Sequence, residues 1–422
     1  MHERRKGARE MKRIVIVAND VAMPGEKGLS RLHWLAEFFV RSGFETELVT
    51  ADFQHWEKRR RTPEDMERIR KASACKVTFI REGAYTKNID PKRILSYRTL
   101  AKNVKKYLDS NEYDLVYALI PDNRLCAVAG KYAKKRGVPF MVDVEDLWPE
   151  AMRMVLDIPV VSDVLFSYFT VNAKRAYRAA DAVVGSSDEY RDEPEKYGVH
   201  PSRSLTVYVG TDIARFDQGA SKYKQKAEKP AGEFWVTYAG TLGTSYDLAT
   251  LIEAAALLKQ RGVSDIKAVL LGAGPEEEKL KALAEKTGAD VFFAGYRPYE
   301  EMAAWLKASD VTVNSLVAKA SQSIVSKIGD YLAAGRPMVN TGLNKEFKAK
   351  VLQDGFGLNV APGDAAALAD VIETLYRSPD SRAEMGRRAR AVAEAQFNRP
   401  VSYMQIVHTA RALIEGAAEE TV

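Results

Sequence analysis

Short β-branched runs alternate along most of this chain with stretches whose apolar residues recur at helical spacing. Ile14-Val15-Ile16-Val17-Ala18 is the first such run, and an unbroken apolar segment of that length suits a strand covered on both faces. Pro24, Gly25 and Gly28 mark the loop after it. Leu32, Leu35, Ala36, Phe39 and Val40 then follow a helical period that Gly43 ends. Residues 47–50, 76–80, 115–119, 140–144 and 182–185 predict further strands, with helical stretches mostly between them. Residues 221–230 are Lys-rich and poor in aliphatics, and they read as an exposed linker. The alternation restarts with strands at 235–239, 268–271, 291–293, 311–313 and 337–339, a helix at 248–259, and an amphipathic tail at 400–418. Two blocks of βαβ alternation argue for an α/β protein with two Rossmann-like, doubly wound parallel sheets facing across a cleft. The expected division is 11–218, a linker at 219–234, 235–398, and a C-terminal helix at 399–422 packing back toward the first domain.

Composition adds limits to that picture. At 422 residues the chain is too long for one ordinary core and suits two. Two cysteines, Cys75 and Cys126, cannot build a disulfide framework and lack metal-ligand spacing, so they read as thiols of a reducing, cytoplasmic compartment. Residues 1–12 are too polar for a signal peptide, and Met11 is an alternative start that would make residues 1–10 a leader. The most apolar stretch, 154–171, is interrupted by Asp157, Pro159 and Asp163 and reads as a core helix with a proline break. The net charge is +6, and residues 51–100 alone hold 13 Lys and Arg against 7 Asp and Glu. Phe53, His55 and Trp56 beside Lys58-Arg59-Arg60-Arg61 suit an anionic membrane surface, where each cation contributes about 1 kcal/mol. The plainer reading is a solvated face. No nucleic-acid-binding module accompanies the run.

The candidate chemistry lies at strand ends. There is no Gly-x-Ser-x-Gly elbow, no His-Glu-x-x-His and no Walker loop, and the five histidines are scattered. Gly272-Ala273-Gly274 lacks the third glycine of a dinucleotide fingerprint, which disfavours hydride transfer. Ser321, Gln322, Ser323 and Ser326 crowd the start of a helix running through Ile328 to Gly335, where free N–H groups favour a diphosphate. Lys327 falls in its first turn, where a cation opposes the helix dipole unless an anion binds there. Asp330 is spaced to share its face and to accept hydrogen bonds from ribose hydroxyls; the plain alternative is a capped helix with a local Lys–Asp pair. Gly240-Thr241-Leu242-Gly243, Gly272-Ala273-Gly274 and Tyr296-Arg297 each follow a strand, so they should converge on one crevice.

Together with Gly28, Asp146-Leu147-Trp148-Pro149-Glu150, Val209-Gly210-Thr211-Asp212 and Ser326-Lys327-Ile328-Gly329-Asp330, these segments resemble the retaining glycosyltransferases of the fourth sequence family, of GT-B architecture. The Asp-Leu-Trp-Pro-Glu segment resembles a subgroup that builds bacterial surface polysaccharides, lipopolysaccharide among them. The resemblance implies transfer of a hexosyl or N-acetylhexosaminyl group from a UDP- or GDP-sugar to a glycan or polyprenyl-linked acceptor, with no metal and no cofactor. It implies a cytoplasmic enzyme, peripheral on the inner face of the plasma membrane. The donor side would comprise Gly240 to Gly243, Gly272, Gly274, Gln322, Ser323, Ile324 and Val325, with Asp330 on the ribose, Tyr296 and Arg297 near the base, and Lys327 as the catalytic cation that stabilises the departing diphosphate. Gln322 replaces the family's first glutamate, and Thr241 and Tyr246 replace its phosphate-binding Arg and Lys. Glu145 stands where a histidine is common and, with Asp146, is the catalytic candidate of the first domain; Gly28, Trp148 and Glu150 fall on the acceptor side. Alternatives are a metal-dependent transferase using Asp143-Val144-Glu145-Asp146, a nucleotide-sugar epimerase on the same scaffold, and a degenerate transferase acting as a binding subunit.

Overall fold

The computed structural model describes residues 11–26, 31–87, 91–148, 161–320 and 324–416. The chain divides into two units, one formed by residues 1–207 with 403–422 and the other by 208–402.

In the first unit, β1 (Arg13–Val17), β2 (Glu45–Ala51), β5 (Lys76–Ile80), β6 (Leu115–Ile120), β7 (Phe140–Val144), β8 (Ala182–Gly185) and β9 (Arg203–Thr206) form one parallel sheet. Its order is β5-β2-β1-β6-β7-β8-β9, and β3 (Phe53–Gln54) pairs with β4 (Arg59–Arg60) in a small antiparallel ribbon. The period-two alternation of β1 explains why its run is apolar throughout. Val15 and Val17 enter one core with Leu125, Phe140 and Tyr177, whereas Ile14 and Ile16 enter the other with Leu35, Phe39 and Tyr117. Helix Met404–Glu415 completes that second core with Tyr403, Ile406, Val407 and Ala410. Within the stretch expected as a proline-broken helix, Val161–Ala179 is helical and buries Phe166, Phe169, Ala173, Ala176 and Tyr177; its start lies outside the described residues.

The second unit repeats the design with β10 (Phe234–Ala239), β11 (Ile266–Leu271), β12 (Val291–Gly295), β13 (Val311–Asn314), β14 (Met338–Asn340) and β15 (Gly357–Asn359), all parallel. The order is β12-β11-β10-β13-β14-β15. The winding direction reverses at β10, so a crevice opens where β10 and β13 end, the place such sheets bind ligands.

The expected linker is part of this unit. Residues 213–222 and 224–227 are helical, and Phe216, Ala220 and Ala227 bury themselves in the core beneath Trp305. Lysines cover the outward face and hide that inward stripe from a composition-based reading.

The basic run is partly folded inward. Arg61 is buried and binds Glu26 at 2.7 Å, while Arg60 chelates Asp52 at 2.6 and 2.7 Å. Arg59 pairs with Glu57 and Asp65, and the Lys58 ammonium bonds the His55 carbonyl. Arg60 and Arg61 thus spend their charge on internal partners, whereas Arg59 and Trp56 remain exposed. Among the described residues no helix is long and apolar enough to cross a membrane.

Candidate functional site

Three turns meet at the C-terminal ends of β10, β11 and β12. The Gly240 amide donates to the Leu271 carbonyl at 2.8 Å, and the Gly272 amide donates to the Gly295 carbonyl at 2.9 Å. Both glycines have positive φ, +151° and +143°. A Cβ on Gly272 would lie 1.8 Å from the Gly240 carbonyl oxygen, and one on Gly274 would lie 2.3 Å from that of Leu242, so side chains are excluded from this seam. Tyr331, fully buried, accepts from the Ala239 amide at 2.7 Å and braces the end of β10. Thr241 is exposed beside the seam, Leu242 is buried, and Gly243 is half-buried. Tyr296 follows the third turn, 65% exposed and open to stacking. Arg297 lies over the Trp305 ring at 5.7 Å instead.

Lys327 enters from the crossover between β13 and β14. It caps a helix that spans only Ile328–Ala333, so the helix begins later than the serine-rich pattern suggests. Ile324 and Val325 precede it as half-buried coil, packed against the unit's core. Its ammonium donates to the Tyr238 hydroxyl at 2.8 Å and sits 4.1 Å from the centroid of Tyr238 and 3.8 Å from that of Tyr246. A Cβ on Gly240 would come within 2.5 Å of the same nitrogen, which puts the charge against the first turn. Tyr238 in turn donates to the Thr241 carbonyl at 2.8 Å. No carboxylate pairs with Lys327 among the described residues, and burial pushes its pKa well below the usual ammonium range. Two tyrosine faces thus enclose the amine without supplying a countercharge. Tyr246, standing where the resemblance expects a phosphate-binding lysine, supplies one wall of that cage.

Asp330 points elsewhere. One carboxylate oxygen accepts from Thr211 at 2.6 Å and from Tyr299 at 2.8 Å. Its second oxygen has no protein donor among the described residues. No Lys327–Asp330 pair forms, so the bland reading of this helix start does not hold. Thr211 and Tyr299, the hydroxyls that orient Asp330, carry no signal in the sequence that ties them to it.

The first unit gathers carboxyl groups and rings at its own strand ends. Glu145 follows β7 and accepts from Arg31, which also binds Asp143 and donates to the Tyr403 hydroxyl at 2.8 Å. Arg31 and Asp143 are 1% and 0% exposed. Burial opposes the Arg31 charge, but Asp143, Tyr403 and Glu145 outweigh it and raise its pKa. Asp146 accepts from the Trp148 indole at 3.0 Å, and burial raises its pKa. Trp148 packs near Tyr97 and Phe169 under the Arg93 guanidinium. Gly28, Glu150, Gln322 and Ser323 lie outside the described residues. The fold brings His33, Glu37 and Cys75 within 4.8 Å of one another, which sequence spacing did not show. Glu37 spends an oxygen on the Ala74 amide, and burial pushes the Cys75 thiol up to about 12, so these atoms form a hydrogen-bonded cluster of neutral thiol and cap.

Glu82, at the end of β5, is buried, accepts from Ser96 at 2.6 Å, and is pushed by burial from 4.5 to about 8. The folded chain therefore keeps a proton that the unfolded chain releases, and stability falls as pH rises from about 4.5 to about 8. Glu82→Gln removes this pH dependence and retains the Ser96 acceptor. The fall in Tm between mildly acidic and mildly alkaline pH should be clearly shallower in the variant. Parallel Tm profiles for the two proteins would show that Glu82 ionises normally.

Residues 220–392 match the family Glycosyl transferases group 1. A Bacillus subtilis (strain 168) protein named as the glycosyltransferase EpsD is 25% identical over 312 residues, covering 72% of this chain and 77% of that one. An Escherichia coli (strain K12) protein named as the colanic acid biosynthesis glycosyltransferase WcaL is 26% identical over 262 residues, covering 61% of this chain and 63% of that one. The chain thus spans less than two thirds of the second relative. The crystal structure of Anabaena HepE in complex with UDP superposes with a TM-score of 0.69 at 18% identity, over 95% of this chain and 100% of that one. The chain carries the group 1 glycosyltransferase domain and is a glycosyltransferase with the GT-B fold.

Proposed function

We propose that this enzyme transfers a sugar from a UDP-sugar, with retention and without a metal, to a glycan or lipid-linked acceptor during surface polysaccharide synthesis in the cytoplasm. The observation that carries the reading is Lys327, an ammonium with no carboxylate partner beside the Gly240 turn. A diphosphate there reverses the effect of burial, because its charge restores the proton to the ammonium. The name of WcaL supports the polysaccharide reading, and HepE, solved with UDP and with UDP-glucose, supports the donor.

In the proposed reaction, the acceptor oxygen bonds to the anomeric carbon on the face from which the diphosphate leaves. The carbon–oxygen bond to phosphate breaks, and the acceptor proton passes to a phosphate oxygen of the leaving group. Negative charge is greatest on the diphosphate as it departs, so Lys327 and the turn amides stabilise the transition state more than the ground state. Tyr296 would stack on the base and Asp330 would accept from the ribose. The rings and carboxyls around Trp148 and Asp146 suit an acceptor rich in hydroxyls.

The test is donor binding. UDP-glucose titrated into the wild type should bind, and Asp330→Asn should weaken that binding about tenfold. Equal affinity in both proteins would remove Asp330 from the donor site. Absence of any UDP-sugar binding to the wild type, with GDP-sugars bound instead, would overturn the choice of base.

A further inference from the structure

The second unit has a cavity at the opposite end of its sheet. Asp310 precedes β13, and Arg336 with Pro337 precedes β14, so this cavity lies at strand N-termini, a strand's length from the Lys327 turn. It measures about 500 Å³ and is lined by Lys307, Asp310, Arg336, Arg382, Arg387 and Arg390, together with small residues. Five cations therefore face one carboxylate. That carboxylate is already used, since one Asp310 oxygen accepts from Lys229 and from the Trp235 amide, each at 2.7 Å. Asp217 is chelated by Arg390 at 2.9 and 2.6 Å and stands 3.9 Å from Lys307.

Arg387 pairs with Glu384, which leaves two cations, Arg336 and Arg382, without a carboxylate partner among the described residues. Arg336 donates only to the Lys307 carbonyl, and its Nε is buried with no partner. Arg382 donates to the Leu375 and Tyr376 carbonyls and lies over the Phe234 ring at 5.0 Å. Burial, with Arg390 and Arg336 nearby, pushes the Lys307 pKa down; burial and Arg382 do the same for Arg336. Like charges so placed repel one another, and an anion between them removes that cost. The helix Pro379–Val392 is built for such a wall. Arg382, Gly386 and Arg390 fall on one face at four-residue intervals, and a Cβ on Gly386 would come within 2.5 Å of the Gly335 carbonyl.

We infer that this cavity is a second anion site, holding the phosphate group of a soluble phosphate-bearing ligand and separate from the donor site. Planar guanidinium groups with free N–H atoms match phosphate oxygens, and the volume suits a small metabolite rather than a macromolecule.

The test is calorimetric titration of the full-length protein with inorganic pyrophosphate at constant ionic strength. Lys327→Ala, which disables the donor turn, should retain pyrophosphate binding. In that background, Lys307→Gln with Arg382→Gln should weaken it about tenfold or more. Arg387→Glu, on a side chain 74% exposed and tolerant of change, should weaken it in the same direction. The Lys307/Arg382 variant with Lys327 intact should bind UDP as the wild type does, which separates this site from the donor reading. Undiminished pyrophosphate binding in the Lys307/Arg382 variant would overturn the inference. So would Lys307- and Arg382-dependent sedimentation with phosphatidic acid vesicles in a protein that takes up no pyrophosphate, since the ligand would then be a lipid headgroup.

Discussion

Lys327→Ala should lower kcat/KM for sugar transfer by about a hundred- to a thousandfold, the loss seen when one preorganised donor to a developing anion is removed. The size follows from its surroundings. The ammonium lies 2.8 Å from one tyrosine hydroxyl and over two rings, with no carboxylate to weaken its field. Its charge is therefore available to the leaving diphosphate in a site partly shielded from water, where electrostatic interactions are strong. Most of the loss should appear in kcat, because the interaction peaks when the diphosphate carries its full charge. Lys327→Arg should recover little, because a planar guanidinium does not fit a cage built around a single nitrogen. Steady-state kinetics with a saturating acceptor separates the outcomes. A variant that changed KM alone would make Lys327 a binding residue and shift the catalytic burden to the turn amides.

Arg31→Met should destabilise the first unit by about 3–5 kcal/mol, because it leaves a buried carboxylate without its cation. Asp143 is fully buried and accepts from Arg31 and, at 2.6 Å, from Tyr117. With the guanidinium gone, Asp143 must ionise unpaired or take up a proton. The double variant Arg31→Met with Asp143→Asn should therefore be more stable than Arg31→Met alone, which a merely steric role would not produce. Urea unfolding of the wild type, the two single variants and the double variant measures this directly. Additive losses would mean that the two residues act independently despite their contact.

Much of the architecture was legible because buried parallel strands are short, apolar and β-branched; the runs at 14–18 and 235–239 lie on β1 and β10. In the two large sheets the strands that escaped were β9 and β15, both at sheet edges. Arg203-Ser204-Leu205-Thr206 is half-exposed and Gly357-Leu358-Asn359 has three residues, so neither carries the pattern of a strand covered on both faces. The polar stretch before β10 misled for a related reason: its lysines are counted by composition, whereas Phe216, Ala220 and Ala227 are sorted inward only by the helix.

At the candidate site the sequence identified turns but not partners. Lys327 and Asp330 were singled out by spacing, yet what distinguishes them is set by residues distant along the chain. Tyr238 and Tyr246 enclose Lys327 without a countercharge, and Thr211 and Tyr299 aim Asp330. The same blindness hid the partners of Arg60 and Arg61, because Asp52 and Glu26 are brought to them only by folding.

The second unit is inserted within the first, since the chain returns at Tyr403 to supply Ile406, Val407 and Ala410 to the opening unit's core. During synthesis on the ribosome, the inserted unit has all its residues before the surrounding one does. The earlier-made half must then wait, with a hydrophobic face uncovered, until the last helix emerges. Nascent chains whose residues up to 402, but not 403–415, have left the ribosome should accordingly hold a finished inserted unit beside an unfinished partner that chaperones recognise.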